Sequence, residues 1–233
     1  MAVISYDYGH GTGNDRGASG IIIEEKAIRE YGPVCVNELM RQGHTLVNCT
    51  PNGNMTLKQS LAYRVDKANL NGSQLHICFH ANAFNKEAHG AEVEVASDAG
   101  EKYGQSILSE ICKLGFTSRG VKRPSLYVTG HTKAVCVLIE PFFCDSPIDV
   151  KLYNPNALGV AIAKGVIKVI GGKVAVKPVN SNATQSVLLV QQVANRLGVR
   201  DLSGNKIVED GILGKKTLEA KAKIKIYIDN VLK

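Results

Sequence analysis

Several features that define common protein classes are missing from this chain of 233 residues. It has no apolar run of about 18 residues and no basic-then-apolar leader with a small-residue cleavage site, so we expect neither a membrane span nor a signal peptide. Its six cysteines form no C-x-x-C pair, and several lie in apolar runs where a reduced cysteine acts as a small hydrophobic side chain. We therefore expect synthesis in the cytoplasm, no disulfide framework and no stable membrane insertion.

Aromatic residues are also scarce, at 6% of the chain. The sequence therefore offers little interleaving of basic and aromatic side chains for base stacking, and we expect no nucleic-acid partner. The formal net charge of +7 still favours an anionic partner. Charge alone does not distinguish nucleic acid from a membrane surface or an acidic polymer such as a cell wall.

Short apolar runs alternate with longer amphipathic segments over the first 170 residues. This pattern predicts an α/β fold with a mostly parallel, twisted sheet flanked by helices. The runs that predict strands are 2–8, 44–49, 75–80, 91–97 and 135–143, and helical spacing occurs near 33–42, 56–70, 98–114 and 155–170. Because Gly32 and Pro33 interrupt the first helical segment, that helix either kinks there or starts afresh with proline in its first turn.

Helical periodicity is lost after residue 170, where glycine, proline and asparagine accumulate. We therefore predict a first domain over residues 1–172, a linker over 173–183 and a small all-α domain over 184–233. The last segment has nine basic and five acidic residues, a surplus of four positive charges. Such a surplus fits either a solvated surface or a module that binds an anionic polymer.

Three ionisable residues follow predicted strands of the first domain. His10 follows the first strand, His80 closes the third and Glu140 closes the last long one. The carboxyl ends of parallel strands converge at one edge of a sheet, which is where such folds bind ligands. Two histidines and a carboxylate from Glu24 or Glu25 would bind zinc with a position open for water. Glu140 would then be free to take a proton from water, although no compact H-E-x-x-H cluster is present.

The motifs around these residues occur in the order found in a known family. They are "DYGHG" (7–11), "GASG…EEK" (17–26), "LAYRVDKAN" (61–69), "CFHANAF" (78–84), "HGAEVEV" (89–95), "RGVKRPSLYVT" (119–129) and "AVCVLIEPFFCDSPID" (134–149). Over roughly residues 2–170 the sequence resembles the zinc-dependent N-acetylmuramoyl-L-alanine amidases of the amidase-3 type, which include many phage endolysins.

The resemblance implies a Zn²⁺ site made by His10, Glu25 and His80, with Glu140 as the general base. Glu25 is preferred to Glu24 because it directly precedes Lys26, as in the E-K pair of the family. Four further residues match positions at which substrate contacts would be expected, and each also has an ordinary structural explanation. These candidate substrate-binding residues are Asn82, His131, Lys122 and Arg123.

The C-terminal segment resembles the peptidoglycan-binding type 1 repeat. "VQQVANRLG" (190–198) is similar to its first motif, and Asp210, Gly211, Gly214 and Thr217 fit the second. A short acidic side chain followed by glycine also suits a turn that leads into a helix. The resemblance implies a peptidoglycan-binding module, and the alternative is that these residues only build the turn.

Together the two resemblances imply a peptidoglycan hydrolase that cleaves the amide between N-acetylmuramic acid and L-alanine of the stem peptide. A phage endolysin and a bacterial autolysin both fit, acting at the cell wall after release. Two other classes remain open, namely a zinc peptidase that cuts within the stem peptide and a non-catalytic wall-binding protein.

Overall fold

The computed structural model describes residues 1–13 and 15–171, together with 191, 194–195 and 198–200. Within this part the fold is α/β, as predicted, with a six-stranded sheet flanked by helices. The strands are β1 (Val3–Tyr8), β2 (Thr45–Asn48), β3 (Leu75–Phe79), β4 (Ala91–Val95), β5 (Ser118–Lys122) and β6 (Val135–Glu140). The helices are α1 (Glu24–Arg41), α2 (Leu57–Leu70), α3 (Asp98–Cys112), α4 (Tyr127–His131), α5 (Pro147–Leu152) and α6 (Pro155–Ile170).

The strand order in the sheet is β2-β1-β3-β6-β4-β5. Strands β2, β1, β3 and β6 are parallel, whereas β4 is antiparallel to β6 and parallel to β5. The carboxyl ends of β1, β3 and β6 therefore lie at the same edge as the amino ends of β4 and β5. We call this edge, defined by Tyr8, Phe79, Glu140, Ala91 and Ser118, the site edge.

The two faces of the sheet bury different helices. Helices α1, α3 and α6 pack together on one face, where the larger core cluster includes Ile77, Val93 and Ile139. On the opposite face, Cys78 and Leu138 belong to a smaller buried cluster with residues of α2 and α4. Successive side chains along each strand point to opposite faces of the sheet. Glu140, two residues after Leu138, therefore points to the same face as Leu138.

Helix α1 differs from the sequence-based expectation because it begins at Glu24 and contains Pro33 in its interior. Proline lacks an N–H group, so the carbonyl group four residues earlier loses its helical partner. Burial of Ile28, Tyr31 and Cys35 against the sheet offsets this loss, and the helix continues to Arg41. The short strand β5 was not predicted, since its mostly exposed sequence has no apolar run.

The contacts within the chain divide it into two units, Met1–Val174 and Ala175–Lys233. The predicted linker lies outside the described residues, as do Asp210, Gly211, Gly214 and Thr217 of the predicted C-terminal module. The three-part domain organisation therefore stays a prediction. In the part of the chain that the structure covers, every helix is too short or too polar to cross a membrane.

Candidate metal centre and active site

Three side chains meet at the site edge with their donor atoms turned toward one another. His10 follows β1, His80 follows β3, and Glu24 is the first residue of α1. The Glu24 Oε1 atom lies 3.0 Å from His10 Nε2 and 3.1 Å from His80 Nδ1. The two imidazole rings are nearly perpendicular, with their centroids 4.8 Å apart. One oxygen and two nitrogen donors therefore lie within 4.8 Å of one another.

The loop that carries His10 is held in a conformation that few side chains adopt. His10 has a φ of 58°, in the left-handed region. Its carbonyl oxygen accepts hydrogen bonds from Arg29 and Arg64, both 3.3 Å long, and its ring Nδ1 lies 2.5 Å from Asp15 Oδ1. These contacts fix both the backbone and the ring, and the bond to Asp15 leaves Nε2 turned toward Glu24.

Gly17 permits the glycine-rich loop to pass close to the three side chains. It has a φ of 69°, and a Cβ atom there would lie 2.6 Å from Glu24 Oε2 and 2.6 Å from His10 Cδ2. Any side chain at this position would displace two members of the cluster. Glycine at position 17 is thus explained by the close approach of the backbone to Glu24 and His10 as well as by its positive φ.

The two neighbouring glutamates point in different directions, and the one that faces the histidines is not the one expected from the family motif. Glu24, rather than Glu25, meets both histidines, and it also accepts hydrogen bonds from the backbone of Ala18 and Ala81. Successive helical residues differ by about 100° in direction, so only one of the pair can face the histidines. Glu25 turns toward Arg16, whose Nη1 lies 3.3 Å from its carboxylate.

The donor set fits zinc. Imidazole nitrogens and a carboxylate oxygen are ordinary zinc ligands, and bonds of about 2.0–2.2 Å around a tetrahedral ion place neighbouring ligands roughly 3.4 Å apart. The separations of 3.0 and 3.1 Å are close to that value. Burial opposes ionisation of Glu24, but hydrogen bonds and charge from His10 and His80 lower its pKa below the ordinary value. The carboxylate is thus in the form that binds a cation.

Glu140 ends β6 at the same edge and has an unsatisfied carboxylate oxygen. Its Oε2 atom is enclosed and has no hydrogen-bond partner among the described residues. Burial raises the pKa of Glu140 well above its ordinary value, and the charges of Glu24, Glu94 and Glu92 raise it further. An enclosed, unpaired carboxyl group beside a set of metal-type ligands is the pattern of a proton-transferring residue.

Asn82 is also brought to this region. It follows His80 by two residues, and its Nδ2 donates a 2.8 Å hydrogen bond to Glu92 Oε1. Glu92 lies directly opposite Glu140 in the antiparallel β4–β6 pair, which places their Cβ atoms about 5 Å apart on one face. Asn82 therefore contacts a neighbour of Glu140.

The other three candidate substrate-binding residues lie elsewhere. His131 precedes β6, stacks on Tyr127 and bonds to that residue's carbonyl, which places it toward the edge where β6 begins. Lys122 is the last residue of β5, and Arg123 next to it pairs with Asp98 at the start of α3. Because β5 runs from the site edge toward the opposite edge, its basic end points away from the histidines.

A second group of possible metal ligands contains Asp7, His76 and Cys78. Its polar atoms are already occupied, since Asp7 pairs with Arg64 and His76 Nε2 lies 2.9 Å from Asp7 Oδ2. His76 Nδ1 lies 2.8 Å from Ser5 Oγ. This Ser–His–Asp order resembles a hydrolytic triad, but the three side chains are fully enclosed. We assign the group to stabilisation of β1 against β3.

Comparison with known proteins decides the family. Residues 4–171 match the Amidase_3 family, described as N-acetylmuramoyl-L-alanine amidase. The chain belongs to this family. The match includes every residue of the cluster described above.

Solved structures agree with this assignment. The catalytic domain of the CD27L endolysin targeting Clostridia Difficile is 27% identical and superposes with a TM-score of 0.67, covering 72% of this chain and 98% of that domain. The catalytic domain of CwlV, an N-acetylmuramoyl-L-alanine amidase from Bacillus (Paenibacillus) polymyxa var. colistinus, is 22% identical with a TM-score of 0.65. The superposition covers 74% of this chain and all of the CwlV domain. At this identity, the similarity is evidence for the fold alone.

The curated sequence relatives are longer proteins, and only part of each one matches this chain. An uncharacterized protein of Clostridium perfringens is 30% identical over 161 residues, which is 65% of this chain and 48% of the relative. An uncharacterized cell wall amidase of Bacillus anthracis is 32% identical over 166 residues, which is 64% of this chain and 31% of the relative. The chain thus spans half or less of the length of these curated relatives.

Proposed function

We propose that this protein is a zinc-dependent amidase that hydrolyses the bond between N-acetylmuramic acid and the L-alanine of the peptidoglycan stem peptide. The observation that carries the proposal is the cluster of His10, Glu24 and His80 beside the unpaired carboxyl group of Glu140. Membership in the Amidase_3 family supports the same reaction and substrate. Glu24 replaces Glu25 as the third proposed metal ligand.

Zinc bound by His10, Glu24 and His80 would supply positive charge that polarises the scissile carbonyl, acidifies water and offsets the negative charge around Glu140. The chain contributes the geometry. Asp15 orients the ring of His10, and the backbone of Ala81 donates to Glu24 Oε1. Such outer contacts fix the direction of the donor atoms before any ion arrives.

Glu140 acts as the general base and then as the general acid. Its carboxylate takes a proton from the attacking water and delivers that proton to the amine nitrogen of L-alanine as the C–N bond breaks. The enclosed Oε2 atom has no other partner that would compete for the proton. The raised pKa of Glu140 suits the second half of this cycle, because it favours a carboxyl group that holds a proton until the amine departs.

The C-terminal segment is proposed to bind the wall and keep the amidase near its substrate. The grounds are the resemblance of residues 190–217 to a peptidoglycan-binding repeat and the surplus of positive charge beyond residue 184. We propose the bacterial cell wall as the place of action, with either an endolysin or an autolysin role. The endolysin similarity of the first unit supports this location.

Digestion of purified Gram-positive cell walls tests the reaction. We expect the products, analysed by mass spectrometry, to be whole stem peptides and intact glycan, and we expect a chelator to abolish their release. Fragments of stem peptides would instead indicate a peptidase. Walls bound but left uncut in the presence of zinc would indicate a non-catalytic wall-binding protein.

The variant Glu140→Gln tests the assignment of the base. Glutamine keeps the shape of the side chain but cannot accept and relay a proton, so kcat should fall roughly 10²–10⁴-fold while zinc content stays unchanged. Elemental analysis measures the zinc. A protein that arrives without zinc would make Glu140 a fourth ligand, and wild-type turnover would place the base elsewhere.

A further inference from the structure

Arg119, at the site edge of β5, has no part in the chemistry described so far. Its Nε lies 2.8 Å from Glu92 Oε2, and its guanidinium lies over the ring of Phe143 at 4.8 Å. Phe143 is fully buried, whereas the Arg119 side chain is 38% exposed. Among the described residues, the guanidinium has no further hydrogen-bond partner. Two nitrogens, Nη1 and Nη2, therefore remain for a ligand.

An irregularity in the sheet aims this side chain. Ala91 pairs with Ser118 and Val93 pairs with Val121, so two residues of β5 oppose Glu92 alone. Such a bulge redirects side chains and is frequent beside active sites. The extra residue, Gly120, has a φ of 82° that suits glycine. Val121 consequently packs against α3, whereas Arg119 points to the face of Glu92.

That face leads directly to the proposed reaction centre. Glu92 is the cross-strand partner of Glu140, and it also holds Asn82, two residues beyond His80. Arg119 is thus one side chain removed from the proposed base. Its orientation is fixed by an ion pair at one nitrogen and by an aromatic ring beneath its plane, so little side-chain entropy is lost when a ligand binds.

We propose that Arg119 binds a carboxylate of the stem peptide and makes the enzyme selective for stem peptides that carry it. This inference rests on the proposed function. The fork of two η nitrogens matches the geometry of a carboxylate. In the uncut substrate the lactyl carboxyl group of the sugar is tied up in the scissile amide, so free carboxylates belong to the peptide. Glu92 neutralises part of the positive charge of Arg119. The two η nitrogens can still donate hydrogen bonds to a carboxylate, and these bonds make the contact selective.

The position of Arg119 also gives the substrate a direction. The two histidines of the proposed metal site follow β1 and β3, and Arg119 lies beyond β6 on the β4–β5 side. On the other side of His10, an open cavity of about 450 Å³ is lined by both polar and apolar residues, among them Asp15, Asn54, Met55 and Leu57. A peptide bound at Arg119 would place the glycan on the side of this cavity.

The test uses matched N-acetylmuramoyl peptides in which one carboxylate at a time, at the second or third residue, is replaced by a carboxamide. We expect the wild-type full chain to cleave one free-carboxylate substrate about tenfold faster, in kcat/KM, than its carboxamide counterpart. Arg119→Gln should bring that ratio to about one. Arg119→Lys, which keeps the charge but loses the fork, should give an intermediate ratio.

Arg41→Gln is the matched control, because it removes one positive charge from the exposed end of α1 and should keep the wild-type ratio. A wild-type ratio of one for every pair would overturn the proposal, as would an unchanged ratio in Arg119→Lys. An equal loss on both substrates in Arg119→Gln, with the ratio retained, would assign Arg119 a purely structural role. If no substrate is cleaved by the wild type, the proposed function itself fails.

Discussion

Asp7 offers a quantitative test of how the strands beneath the proposed site are held together. Its side chain is 1% exposed and that of Arg64 is 4% exposed, and the two form an ion pair between β1 and α2. Asp7 also lies 2.9 Å from His76 on β3. Asp7→Asn keeps the size of the side chain but leaves the guanidinium of Arg64 buried without its counter-charge.

Removal of one partner from a buried ion pair typically costs about 3–5 kcal/mol, because the remaining charge stays desolvated. The nearly complete burial of both groups places Asp7→Asn in that range. Arg41→Gln removes an ion pair whose arginine is 47% exposed, and it should cost at most about 1 kcal/mol. The structure therefore predicts a severalfold difference in destabilisation between two single-charge substitutions.

Urea unfolding of the full chain, followed by tyrosine fluorescence, measures the free energy of unfolding. Seven of the eight tyrosines lie between Tyr6 and Tyr153, so this signal reports mainly on the first unit, and the chain has no tryptophan. A loss below about 1 kcal/mol for Asp7→Asn would refute the reasoning. It would mean that water or a rearranged neighbour compensates Arg64 in the variant.

The pH dependence gives a second measurement on the same group. Burial opposes ionisation of Asp7, but the charges of Arg64 and His76 outweigh it and lower its pKa below the ordinary value. A lowered folded-state pKa contributes stability that is complete above the unfolded pKa of about 3.9 and is lost as pH falls toward the folded value. The stability gap between wild type and Asp7→Asn should therefore narrow below about pH 4. A gap that widens there would contradict the assignment.

Two further predictions concern the metal and the C-terminal segment. Glu24→Gln should weaken zinc binding by more than the roughly 10–100-fold caused by loss of an outer contact, whereas Glu25→Gln should leave zinc content near wild type. Elemental analysis decides, and the reverse result would restore Glu25 as the ligand. Truncation after Gly172 should leave a folded, zinc-binding amidase that pellets less with whole walls at equal salt, because a fused module raises local substrate concentration. Equal pelleting would remove the targeting role.

The composition and order of the sequence were sufficient to predict the α/β fold. Apolar runs such as 75–80 and 135–143 correspond to β3 and β6, because strands covered on both faces need continuous apolar sequence. The same reasoning placed His10, His80 and Glu140 at one edge of the sheet. That inference needs only the parallel direction of three strands, which crossover connections of this length favour.

Local sequence could not decide between Glu24 and Glu25. The choice depends on the rotational phase of α1, which is fixed by contacts of its first turn with Ala18, Ala81 and the two histidines. These contacts join residues up to 57 positions apart in the chain. The neighbouring lysine in the motif carries no information about such long-range packing.

The basic segment of β5 shows more clearly which features follow from local sequence and which depend on tertiary structure. The sequence contains Arg119, Lys122 and Arg123 within five residues, and its family resemblance indicated Lys122 and Arg123, but not Arg119, as candidate substrate contacts. Which end of the segment meets the site depends on β4 being antiparallel to β6 and on β5 following β4 in direction. Strand direction and a bulge are set by pairing between distant segments, so the tertiary structure alone brings Arg119 to the site edge and turns Arg123 toward Asp98.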